Sequence, residues 1–131
     1  MDSTASRRRK AILAGYEVEP DTALGLLTDS DAAVRVAAFG ALERLGLLTG
    51  AEIAAALVDK SPLVRKRALE SLAGGHESDP SALLDDEDPL VVETACWVLG
   101  ERGESHDPIL AGLMAVAASH GDALCREAAV A

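Results

Sequence analysis

Aromatic side chains are nearly missing from this sequence, with one Trp, one Tyr and one Phe among 131 residues. With so few aromatics and an abundance of Ala, Leu and Val, the composition suits closely packed helices and argues against a sheet core. Cysteine is scarce too. Cys96 and Cys125 both fall in segments read below as helices, and they read as small buried apolar groups in a reducing compartment, not as a disulfide pair. No apolar run reaches the about 18 residues of a membrane-crossing helix. Arg7, Arg8, Arg9 and Lys10 could mimic the start of a signal peptide, but the apolar stretch from Ala11 to Tyr16 is shorter than an h-region of roughly 7 to 15 residues. The chain therefore reads as a cytoplasmic protein with no membrane partner, and the basic cluster as a solvated helix face.

Basic residues also run out along the chain. Residues 1–76 carry ten basic and ten acidic side chains, whereas residues 77–131 carry only Arg102 and Arg126 against twelve acids, so the net charge of −10 comes wholly from the C-terminal part. A surface of that sign repels phosphate backbones, which makes nucleic acid a poor candidate partner for that half, and no nucleic-acid partner is expected.

What the chain has in abundance is self-similarity. Asp31 to Gly46 reads Asp-Ala-Ala-Val-Arg-Val-Ala-Ala-Phe-Gly-Ala-Leu-Glu-Arg-Leu-Gly, and related segments place Val64, Val91 and Cys125 where Val34 stands, at intervals of 30, 27 and 34 residues. Thr49-Gly50-Ala51-Glu52 is a capping box. Ser61-Pro62, Asp79-Pro80, Asp88-Pro89 and Asp107-Pro108 each set an acceptor at an N-cap and a proline at the first helical position, and Gly46, Gly74-Gly75 and Gly103 suit helix ends. These signals predict helices near 5–15, 21–28, 32–45, 50–58, 62–73, 80–84, 89–102, 108–119 and 123–131.

On a helical wheel Val34, Ala38, Ala41, Leu42 and Leu45 form one apolar stripe, repeated by Val64, Ala68 and Leu72 and by Val91, Ala95, Val98 and Leu99. The central alanines Ala38, Ala68, Ala95 and Ala129 would let helix axes approach closely. Phe39, Leu69, Cys96 and Val130, five residues past each aligned position, are expected to form the contact between neighbouring repeats.

The Asp-x-x-Val-Arg-x-x-Ala-x-x-Ala-Leu-x-x-Leu-Gly pattern of Asp31 to Gly46, continued in Val64 to Leu72 and Val91 to Gly100, resembles the short HEAT-like repeats first associated with phycobilisome lyases. The resemblance covers the chain from Asp21 onward. It implies an all-α, right-handed α-solenoid of the ARM/HEAT type, with about four helix pairs in a single domain. A capping helix would occupy residues 1–19, repeats 20–46, 47–75 and 76–103, and an incomplete repeat 104–131. In similar repeats the arginine after the valine pairs with turn acids in a ladder. Arg35, Arg65 and Arg126 match that position, and Val92 interrupts it. Ala131 follows Cys125 by only six residues, so the last repeat reads as truncated, and its uncapped end is a candidate for self-association.

Catalytic, cofactor and metal sites find no support. Deoxyhypusine hydroxylases of similar build hold iron on His-Glu pairs after the valine-arginine position, but the matching dipeptides here are Val36-Ala37, Lys66-Arg67, Glu93-Thr94 and Glu127-Ala128. His76-Glu77 falls in a loop. His76, His106, His120, Cys96 and Cys125 lack every short zinc spacing. Asp29-Ser30-Asp31 and Asp85-Asp86-Glu87-Asp88 lack the shaped calcium loop, and N-capping by Asp31 and Asp88 accounts for them. Glycosylases of a related build need a basic, aromatic concave face, which this chain does not have.

The expected function is a non-catalytic protein-interaction scaffold whose partner is another protein. The alternative implied by the resemblance is an accessory subunit of a cofactor-attachment enzyme of the phycobilin lyase type. Second helices are expected on the concave side, with Arg35, Val36, Glu43, Lys66, Arg67, Glu70, Glu93, Trp97 and Glu101 as the candidate partner-binding surface. Trp97 points away from its own repeat's core on the wheel, where it could either cover a neighbouring helix or meet a partner.

Overall fold

Capping chemistry at the turns decides where the helices of the computed structural model begin. The structure describes residues 3–17, 20–75, 77–103, 112–117 and 121–130. In chain order the helices are α1 (Thr4–Glu17), α2 (Pro20–Leu26), α3 (Ala32–Arg44), α4 (Gly50–Leu57), α5 (Pro62–Leu72) and α6 (Pro89–Arg102), then α7 (112–117) and α8 (Ala123–Val130). No strand occurs among the described residues. None of their helices is long and apolar enough to cross a membrane.

Asp31 accepts from the Ala33 and Val34 amides, Ser61 from Leu63 and Asp88 from Leu90, each in the extended conformation of an N-cap. Thr49 donates its amide to Glu52 at 3.0 Å, one arm of the capping box. At the end of α3, Gly46 (φ 70°) lets the amides of Gly46 and Leu47 reach the carbonyls of Glu43 and Leu42, a Schellman closure that a side chain there would strain.

The segment after Asp79-Pro80 departs from expectation. It is a 3₁₀ turn over Ser81–Asp85, not an α-helix over 80–84. Only a few residues separate Pro80 from the extended Asp86, so the chain closes with tight bonds from Leu83 N–H to the Pro80 carbonyl and from Asp86 N–H to the Leu83 carbonyl. Asp107-Pro108 and the three histidines lie outside the described residues.

The chain divides into two compact units, Met1–Ile53 and Ala54–Ala131. In the first, α1, α2 and α3 pack on one another. Ala23, Ala41 and Leu42 form a core cluster flanked by Leu27 and Leu48, and Val34, Ala38 and Phe39 are buried with them. The Arg44 guanidinium reaches the Ile12 carbonyl at 3.4 Å, fastening the end of α3 to α1.

In the second unit α6 is central, packed by α5, the 3₁₀ turn and α8. Val64, Ala68, Leu69 and Leu72 of α5 are buried, as are Leu84 of the 3₁₀ turn, Val116 of α7 and Cys125 of α8. The Cβ that Gly112 lacks would stand 2.9 Å from Leu84 Cδ1, so α7 runs close against the turn. Along α6, Val91, Val92, Thr94, Ala95, Cys96, Val98 and Leu99 are buried, which leaves only one strip of that helix facing outward. Of the four alanines expected at close helix approaches, Ala38, Ala68 and Ala95 are 0% exposed and Ala129 is only half-buried, while the row of Phe39, Leu69 and Cys96 is buried too. Val130, expected to continue that row, is instead 73% exposed near the end of α8. Each unit is thus a packing of short helices on a repeated sequence template, an all-α helical-repeat arrangement.

Candidate functional site

Two aspartate turns fix the helices that carry surface residues. Asp86 Oδ1 accepts from the Asp88 amide at 2.9 Å, which shapes the turn into α6. Its carboxylate is gripped by Arg65 of α5, Nε to Oδ2 at 2.8 Å and Nη2 to Oδ1 at 3.0 Å. Arg65 Nη1 also donates to the Asp59 carbonyl at 2.8 Å, so one guanidinium ties the turn before α5 to the turn before α6. Both side chains are nearly sealed from water, at 10% and 7% exposure.

The same device recurs in the first unit with different partners. Asp29 Oδ1 accepts from the Asp31 amide at 2.9 Å and its Oδ2 pairs with Arg7 Nε at 2.8 Å, while Arg35 Nη1 donates to the Asp29 carbonyl at 2.8 Å. The Asp31 amide above all, and the Arg7 guanidinium beside it, hold the Asp29 carboxyl below the usual carboxylate range against the opposing effect of burial. Arg7 therefore corrects the reading of the N-terminal basic cluster as wholly solvated, although Arg8 and Arg9 are exposed. Its position was legible: Arg7 stands four residues after Ser3, whose hydroxyl accepts from the Ser6 amide, as Arg35 and Arg65 stand four after Asp31 and Ser61. At the third repeat Val92 takes the arginine's place and is fully buried.

The outward strip of α6 consists of Leu90, Glu93, Trp97, Gly100 and Glu101, with the Thr94 edge beneath it. It borders a groove of about 600 Å³ lined by Lys66, Glu70, Leu90, Glu93, Thr94 and Trp97. A second depression of about 340 Å³ adjoins it across Glu93 and Trp97, bounded by Cys96, Gly100, Glu101 and Ala128 of α8. A third, of about 160 Å³, continues past Lys66 and Leu90 to Pro62, Leu63 and Asp88. Trp97 stands 49% exposed between the two larger depressions. Thr94 turns its hydroxyl back to the Leu90 carbonyl at 2.7 Å, which leaves its methyl for the floor. Lys66 bonds Glu70 at 3.0 Å within α5, and no basic side chain among the described residues pairs with Glu93 or Glu101.

Of the nine surface candidates, the groove system brings together Lys66, Glu70, Glu93, Trp97 and Glu101. Arg67 is half-buried and is not among the residues lining it. Val36 and Glu43 are half-buried in the first unit. Arg35 is not a surface residue at all: it is 6% exposed, with its guanidinium on the Asp29 carbonyl.

Leu63 and Leu90 escaped the sequence reading. Each follows an N-cap and proline, in Ser61-Pro62-Leu63 and Asp88-Pro89-Leu90, and each is 57% exposed, as is the corresponding Leu124. An apolar residue repeated one position before the buried valine, off the core stripe, was the available signal.

Burial, with the nearby Cys125 adding to it, pushes the Cys96 thiol up to about 11, and Cys125 is raised mainly by burial, its Sγ donating to the Pro89 carbonyl at 3.0 Å. Among the described residues no group of three or more His, Cys, Asp or Glu side chains is arranged to hold a metal ion. No protein-family model matches the chain, and no curated protein does.

Proposed function

We propose that the chain is a non-catalytic protein-interaction scaffold built from HEAT-like repeats of the ARM/HEAT solenoid type, and that partners dock on the outward face of α5, α6 and α8. The repeat unit supports the first part: before α3 and α5 it is an aspartate turn, a side-chain N-cap, a valine three residues later and an arginine that binds a turn aspartate, and before α6 the turn, cap and valine recur with Val92 in the arginine's place. The observation that carries the second is Trp97. It is the chain's one tryptophan and stands half-exposed between two depressions, where a large part of its indole is open to a partner. Half-exposed indoles set in a groove are the side chains on which interfaces concentrate their binding energy. The accessory-to-a-lyase alternative has the repeat resemblance alone behind it.

The test compares what wild-type and Trp97→Ala chains retain from an extract of the source cells, alongside their denaturation midpoints. The proposal expects at least one protein held in stoichiometric amount by the wild type and lost by the variant, with the two midpoints alike. Equal retention by both chains of every bound protein refutes docking on this face.

A further inference from the structure

The spacing around the indole narrows the kind of partner. Glu93, Trp97 and Glu101 follow one another at steps of four residues on α6, so a carboxylate stands about one helical turn, roughly 6 Å, to either side of the ring. Both carboxylates line the depressions that Trp97 separates. The one basic side chain among the described residues lining the groove, Lys66, is held by Glu70, and the third depression adds the carboxylate of Asp88. Four carboxylates, Glu70, Glu93, Glu101 and Asp88, thus face one ammonium across the three depressions, and the α6 and α8 walls belong to residues 77–131, where acids outnumber bases twelve to two. An acidic partner would bring like charges together, and a purely apolar one would strip water from Glu93 and Glu101 with nothing in return.

We propose that the occupant is an arginine-bearing segment of a partner protein, with one guanidinium stacked on Trp97 between Glu93 and Glu101. A guanidinium is planar and weakly hydrated, so it can lie on an indole face and still present its edge donors to a carboxylate. The exposed side chain of Leu90 offers the apolar surface on which the methylenes of such a segment rest. This inference rests on the docking face proposed above and adds the chemistry of what docks there.

The experiment titrates the full chain with a labelled synthetic peptide alternating arginine and leucine, and with counterparts carrying glutamine or glutamate in place of arginine. Binding is read from label anisotropy and from the emission of the single tryptophan. The arginine peptide should change Trp97 emission, bind about tenfold tighter than the glutamine peptide and weaken as salt is raised, while the glutamate peptide should not bind. Trp97→Ala should weaken the arginine peptide about tenfold. Glu93→Gln with Glu101→Gln should weaken it by a similar factor, whereas Glu77→Gln with Glu87→Gln, two exposed acids outside the groove, makes the same change of net charge and should alter it by no more than about twofold. Equal weakening by the two pairs would mean general attraction to an acidic protein and overturns the proposal. Equal binding of the glutamine peptide at Trp97 also overturns it but leaves the docking face standing. Silence of Trp97 towards every peptide overturns it too, and the Trp97-dependent capture of a cellular partner then decides the docking face independently.

Discussion

Replacing Arg65 by methionine removes one charge and keeps most of the aliphatic stem, so it isolates what the guanidinium does between the two turns. The substitution deletes three hydrogen bonds, two to the Asp86 carboxylate and one to the Asp59 carbonyl. It leaves behind a carboxylate only 7% exposed. Removing one partner of a buried ion pair costs about 3–5 kcal/mol, because the other charge stays desolvated and uncompensated. Asp86 retains the Asp88 amide, which places the expected loss at the lower end, about 3 kcal/mol. With an m-value of about 2 kcal/mol/M, the urea midpoint should fall by about 1.5 M.

Trp97 lies in the same unit as the pair, so its emission reports the relevant transition even if the chain does not unfold in one step. Lys66→Met is the control. It breaks an exposed pair one turn apart on the same helix and should stay within about 0.5 kcal/mol of the wild type. Adding Asp86→Asn to Arg65→Met should cost less than the sum of the single changes, with a coupling of about 1–2 kcal/mol, because the stranded charge is then gone. A loss below about 1 kcal/mol for Arg65→Met, with additive single effects, would show that the guanidinium does not hold the two turns.

Ala68→Glu places a charge at a fully buried position of α5 and should cost several kcal/mol, about 3 or more, whereas the exposed Glu70→Ala should fall within about 0.5 kcal/mol; similar chemical-denaturation midpoints for the two would mean that the faces of α5 are assigned wrongly. The Ser71 hydroxyl is buried without a hydrogen-bond partner, so Ser71→Ala should raise stability by about 0.5–1 kcal/mol, and a clear loss in the melting temperature would reveal an acceptor. The Cys96 thiol is raised from 9.0 to about 11, so the folded chain holds its proton after the unfolded chain has released it. The stability it contributes is fully present below pH 9.0 and is lost as pH rises towards about 11. Cys96→Ala should flatten the alkaline limb of the stability curve, and an unchanged limb would place the titration elsewhere.

The sequence was most informative where the governing forces act over a few residues. An acceptor followed by proline sets a helix start through its own amides, and that is how α5 and α6 begin at Pro62 and Pro89. The helical period of 3.6 residues decides which side chains share a face, so the stripes through Val34, Val64 and Val91 proved buried, and Trp97, six residues beyond Val91, proved exposed. The same local competition explains the miss at Ser81–Asp85, where a proline start had too few residues after it to complete an α-helix.

Only the tertiary structure decided the partners of the long charged side chains and the grouping of the groove. The repeat resemblance pointed Arg35 towards turn acids without saying which atom it meets, and the structure puts its guanidinium on the Asp29 carbonyl while Arg7 lies on the Asp29 carboxylate, 22 residues along the chain. A guanidinium sits several bonds from its backbone, and where it comes to rest depends on which acceptor a neighbouring helix brings within reach. Periodicity assigns a residue to a face and says nothing of what stands opposite. Leu63 and Lys66 of α5, Leu90 and Trp97 of α6 and Ala128 of α8 border contiguous depressions because α6 packs against both α5 and α8, with Arg65 of α5 gripping Asp86 in the turn before α6.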